Sequence, residues 1–131
     1  MGKCIKELAY YLIKRAQENL ELSRKLYNDG DYGFSLNRSY NAVFNAMRAV
    51  NSLDAFDSSK HSGVIAHFNQ CHVKEGHFPS YTSSEIRDSL KLRERADYEI
   101  FYDPSSEEAF SSLEKAAKFI SLAETYINSF K

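Results

Sequence analysis

At 131 residues, with 43% apolar and 27% charged side chains, the chain is long enough to bury a core without staples and has an ordinary globular balance. A net charge of −1 excludes a global field that draws the protein onto nucleic acid or an anionic membrane, so any such contact has to be a local patch. Cys4 and Cys71 lie far apart with no zinc or CxxC spacing and read as reduced thiols. No apolar run approaches the roughly 18 residues of a membrane span. A soluble, cytoplasmic protein of one domain over residues 1–131 is expected.

Only five glycines and two prolines occur, and they fall between long periodic segments. Ile5, Leu8, Leu12, Ala16, Asn19, Ser23 and Leu26 follow helical spacing up to Asn28-Asp29-Gly30. A second helix carries Leu36, Tyr40, Val43, Met47 and Val50, flanked by a small stripe of Ser39, Ala42, Ala46 and Ala49 that admits a close neighbour. Ser58-Ser59 opens a third through His61, Ile65, Phe68 and His72, ending at Gly76. Thr82 with Glu85 offers a capping box for a fourth, broken at Asp103-Pro104-Ser105; Ser105 with Glu108 caps a fifth. That last helix runs through Ala109, Leu113, Ala116, Ile120, Ala123 and Ile127. No strand-like alternation appears. The expected fold is all-α, an up-and-down antiparallel bundle of about five helices.

Polar residues on helical stripes carry the candidate chemistry. Arg38, Asn41, Asn45 and Arg48 recur at steps of three and four on the second helix. They form either a solvent face or a hydrogen-bonding groove, and the two asparagines, weak helix formers, point to the groove. Lys60 and His61 stand at the start of the third helix, where they either hold an anion or pack against the bundle end. His67, Cys71 and His72 are close in sequence, but no fourth ligand is suggested, so no metal is expected. On the fourth helix Arg93 and Asp97 share a stripe with Ile86, Leu90 and Ile100. A charge on an apolar stripe has to be paired or used, so they are a partly buried ion pair, part of a ligand groove, or both.

Five stretches, in order and over almost the whole chain, resemble the HEPN domain, and its small stand-alone prokaryotic subgroup in particular. They are Asn28 to Tyr32, Asn37 to Ala46, Lys60 to Ile65, Leu92 to Tyr98, and Glu107 to Ala109. The resemblance implies a helical bundle, a homodimer with its groove at the interface, and no cofactor. It further implies a metal-independent endoribonuclease of toxin–antitoxin type whose partner is a minimal nucleotidyltransferase, acting on or binding RNA or a nucleotide. The family's signature is an Arg followed, after a few mostly polar residues, by a His. Arg93 stands at the Arg, but no histidine follows His77, and Asn45 stands where many relatives carry a second His. The catalytic candidates are therefore Arg93, Asp97 and Tyr98. Each is awkward as a base: Arg93 pushes the Asp97 pKa down, and Tyr98 is a weak acid. The ligand-binding candidates are Arg38, Asn41, Asn45, Lys60 and His61, which also suit a non-catalytic module binding a nucleotide or a protein.

Overall fold

A computed structural model describes residues 2–130, with side chains described from residue 6, so Cys4 and Ile5 of the sequence reading lie outside the described side chains. Five helices follow in order: α1 (Gly2–Asn28), α2 (Tyr32–Ser52), α3 (His61–Phe68), α4 (Thr82–Tyr98) and α5 (Ser106–Ser129). A π-helical turn, Asn69–Val73, continues α3. The fold is an all-α bundle, and among the described residues no helix is long and apolar enough to cross a membrane.

Helix α2 is the central element. Both of its stripes, Leu36-Tyr40-Val43-Met47-Val50 and Ser39-Ala42-Ala46-Ala49, are buried. The small stripe allows α1 to approach closely: Ser23 Oγ donates to the Ser35 carbonyl (2.8 Å), Ser35 Oγ donates to the Ser23 carbonyl (3.0 Å), and the Ser23 and Ser39 hydroxyls share a bond of 2.7 Å. Leu12, Ala16 and Ser23 of the expected α1 stripe are buried, and Ala9, Ile13 and Leu20 join them on the core face, whereas Leu8, assigned to that stripe from sequence, is 49% exposed. The helix ends at Gly30, whose φ of +82° makes the turn into α2.

Helix α5 begins as expected. Ser105 Oγ accepts from the Glu108 N–H while the Glu108 carboxylate accepts from the Ser105 N–H. The other capping box does not form. Helix α4 starts one residue earlier than a Thr82 cap requires, Thr82 is buried inside the first turn, and Tyr81 stands at the cap without a side-chain bond. Ser58 and Ser59 likewise do not cap α3; Ser58 Oγ accepts the Lys60 N–H in the preceding turn. The fourth helix also stops at Tyr98, before Pro104, which leaves Ile100 and Phe101 in a loop at 91% and 97% exposure. Ile100 is therefore not part of the α4 stripe.

Candidate functional site

A continuous chain of polar contacts crosses one face of the bundle from α1 to α3. Arg38 Nη1 donates to Asn19 Oδ1 (3.2 Å), and Arg38 Nε and Nη2 donate to Asn37 Oδ1 (3.1 and 2.8 Å). All of these partners are neutral amides, and no carboxylate among the described residues lies within ion-pair distance of Arg38. Asn37 Nδ2 then donates to Asp97 Oδ2 at 3.1 Å, joining α2 to α4. The same Asp97 oxygen lies 3.1 Å from Arg93 Nε, and both side chains are 24% exposed. The pair on the apolar stripe is therefore partly buried, one of the two outcomes expected from sequence. Its geometry is imperfect: the Arg93 Nε–H is buried yet makes no well-directed hydrogen bond, so charge attraction rather than a clean bond holds the pair.

From Arg93 the cluster continues through an aromatic. The guanidinium carbon sits 5.5 Å from the centre of the buried Tyr40 ring. The Tyr40 hydroxyl shares a 3.0 Å hydrogen bond with His61 Nδ1, and the His61 ring stacks on Phe44 at 3.9 Å between centroids. Burial pushes the Tyr40 hydroxyl up to about 12, against the pull of the Arg93 cation, so it remains protonated at neutral pH. The His61 residue is exposed, but its ring is covered on the Phe44 side. That partial burial, with the Arg93 charge second, holds its imidazole below the ordinary histidine value. Gly63 lets the loop close on the start of α3: a Cβ there would lie 2.6 Å from Ser58 Oγ.

The structure thus brings together Arg38, Arg93, Asp97 and His61, through Asn37 and Tyr40. The remaining candidates are placed differently. Asn41 and Asn45 donate back to carbonyls one turn earlier, those of Asn37 and Asn41, at 2.9 Å each. Asn41 Nδ2 also reaches Asn37 Oδ1 at 3.1 Å. Arg48 leaves the stripe for a two-pronged ion pair with Asp57, 3.1 and 2.9 Å. Lys60 is exposed, with only its backbone engaged. Tyr98 is 74% exposed, and no hydrogen bond joins it to the cluster among the described residues. Asn37 and Tyr40, which connect the site, were not site candidates, because a lone Asn and a stripe tyrosine give no sequence signal for a tertiary contact.

Beside Asp97, the α1–α2 turn (Asp31), the first turn of α2 (Phe34) and the loop after α4 (Tyr102, Pro104) line one cleft. Phe34 is exposed at the cleft, and Tyr98, Ile100 and Phe101 are exposed at the end of α4 and in the loop that follows it. Two half-buried arginines, an imidazole and an apolar rim suit an elongated anion carrying flat, stackable groups.

A family model described as the HEPN domain matches residues 9–126. The chain belongs to the HEPN domain family. Among its relatives, a Methanocaldococcus jannaschii protein named "putative toxin" is 30% identical over 116 residues, which cover 88% of this chain and 79% of that protein. A second protein of the same name and organism is 32% identical over 120 residues, covering 92% and 89%. A Thermotoga maritima protein named only as a UPF0332 protein is 28% identical over 121 residues, covering 92% of each chain. In this HEPN chain Arg93, Asp97 and Arg38 share one polar cluster, and the His61 imidazole reaches it from the start of α3.

Proposed function

We propose that this HEPN protein is a toxin-type, RNA-acting protein of the cytoplasm, with a minimal nucleotidyltransferase as its antitoxin. The observation that carries the reading is that His61 and Arg93 flank one buried tyrosine, so a neutral imidazole and a cation share the ends of a single rigid platform. Metal-free RNA cleavage needs that combination. In the tautomer whose Nδ1–H donates to Tyr40 Oη, His61 Nε2 keeps its lone pair and takes the proton of a ribose 2′-hydroxyl. The 2′-oxygen then bonds to phosphorus, the bond to the 5′-oxygen breaks, and the departing 5′-oxygen takes a proton from water, while the His61 imidazolium returns its proton to solvent. Arg93 offsets the charge that develops on the phosphoryl oxygens, and Arg38, lacking a carboxylate partner, holds a neighbouring phosphate. The family histidine absent after Arg93 is replaced in this reading by His61.

RNA binding tests the reading first. Arg38→Ala is expected to weaken binding roughly 10- to 100-fold, the worth of a charged hydrogen bond, and to cost no more than about 1 kcal/mol of stability. Fluorescence anisotropy with a labelled single-stranded RNA across a salt series checks this; a phosphate contact also reduces the salt slope by about one. If Arg38→Ala binds as the unaltered protein does while its melting temperature drops sharply, Arg38 is structural. If binding is lost in the variant but the unaltered protein cleaves nothing, a non-catalytic RNA or nucleotide module remains.

A homodimer belongs to the same proposal. Tyr98, Ile100 and Phe101 make an exposed apolar segment at the end of α4, and Phe34 is exposed at the cleft. Covering it with a second copy would bring two clusters to one groove. Sedimentation is expected to give a dimer at micromolar concentration and a monomer for Phe101→Ser with an unchanged melting temperature. A monomeric unaltered protein removes this part of the proposal.

A further inference from the structure

Beyond the C-terminal end of α2, five side chains able to bind a metal gather in one place: Asp54, His67, Cys71, His72 and His77. Three of the chain's four histidines are among them. His67 and His72 are five residues apart, which on a regular α-helix turns their side chains about 140° away from each other. The π-helical turn removes that offset. Its widened hydrogen bond, from the Lys74 N–H to the Asn69 carbonyl (2.9 Å), lets residues five apart share a face. Asp54 arrives from the turn after α2, next to Ala55, which holds a left-handed φ of 56°. The result is convergence on a point. Asp54 Oδ2 lies 2.9 Å from His67 Nε2 and 2.6 Å from His72 Nε2, and all three donor atoms are within 4.8 Å of one another.

We propose that Asp54, His67 and His72 form a site for a zinc-class divalent cation, held by two imidazole Nε2 atoms and one carboxylate oxygen, with the fourth position open to water. The donor set suits that class of ion. A tetrahedral site with bonds of about 2.0–2.1 Å needs its donors about 3.3 Å apart, so they have to separate by roughly half an ångström. Asp54, on an exposed turn, is free to make that movement. The surroundings are those that metal-binding imidazoles require. His72 is 1% exposed, and its other nitrogen, Nδ1, lies 3.1 Å from His77 Nδ1, which in turn contacts the Tyr126 hydroxyl at 3.3 Å. His67 Nδ1 lies 3.8 Å from Cys71 Sγ, and Phe56 stacks flat on the His67 ring at 4.0 Å. Each of the two imidazoles thus has a second group behind its metal-facing nitrogen. The sequence reading expected no metal because it found no further ligand near His67 and His72; Asp54 is that ligand, supplied from a different element. The site does not involve Arg38, Arg93 or His61, and it stands whether or not the protein cleaves RNA.

Protein stripped with chelator and desalted is titrated with zinc by calorimetry and with cobalt(II) by visible absorption. The expected result is one ion per chain, with a cobalt spectrum lacking a thiolate-to-metal charge-transfer band. Asp54→Ala and His67→Ala, both at partly exposed positions, are expected to weaken zinc binding more than 10-fold, and Cys71→Ser, which alters only the group behind His67, to weaken it less than either. Imidazole NMR resonances of His67 and His72 in the unaltered protein should shift with zinc while those of His61 do not, a readout that needs no variant to fold. Absence of zinc binding by the folded protein overturns the site, as does unchanged binding by both ligand variants or a zinc shift confined to other histidines. A hydrogen-bonded His–Asp–His hub with no affinity for metal then remains.

Discussion

His61→Ala is expected to lower RNA cleavage about 10²- to 10⁴-fold, the usual worth of a positioned proton acceptor, while leaving the fold intact. The residue is exposed and makes one side-chain hydrogen bond, so its loss removes little packing. The pH dependence follows from the direction of its shift. Partial burial and then Arg93 lower its pKa, so the imidazole stays neutral, and competent as a base, below the free-histidine value of about 6.5. Cleavage should therefore be retained as pH falls through 6.5 and be lost only at lower pH. A profile whose acidic limb lies above that value assigns the proton transfer to another group.

Tyr40→Ala has the largest expected effect on stability, about 3–5 kcal/mol, because a fully buried ring leaves a cavity among Phe44, His61 and Arg93. On a domain of this size that is a fall in melting temperature on the order of 10–20 °C. Tyr40→Phe separates packing from orientation. It keeps the ring and loses only the bond to His61, so stability should change by about 1 kcal/mol. Cleavage should nevertheless drop, since nothing then fixes the imidazole, and its pH profile should change in the same variant. Equal cleavage by Tyr40→Phe and the unaltered protein would show that the hydroxyl does not position His61.

The helices were legible because each carries a clean amphipathic stripe between sparse breakers, and the α2 stripes fell where the spacing put them. The edge of the α1 stripe was less legible: hydrophobicity favours Leu8, whereas the core face takes Ala9, together with the expected Leu12, Ala16 and Ser23. The Thr82 capping box misled because α4 begins at Thr82 itself, which puts the buried Thr82 hydroxyl inside the first turn without a hydrogen-bond partner. Arg93 and Asp97 were flagged from a local rule, charge on an apolar stripe, which needs no tertiary knowledge. A fully buried pair would cost about 3–5 kcal/mol to break. With each side chain about a quarter exposed, and Asp97 also held by Asn37, solvent screening reduces that figure. Two features stayed hidden. The Tyr40–His61 contact joins helices by side chains that look like core and cap, and the Asp54–His67–His72 convergence depends on a π-turn that breaks the α-helical spacing on which sequence reading relies.

One gel tests the central claim most directly. The unaltered protein, His61→Ala and Arg93→Ala are each incubated with a single-stranded RNA in excess chelator, with circular dichroism of the same samples to establish folding. The account predicts cleavage by the unaltered protein alone, with 2′,3′-cyclic phosphate ends and no cut where the scissile ribose lacks its 2′-hydroxyl. A folded His61→Ala protein that cleaves RNA at the unaltered rate contradicts it.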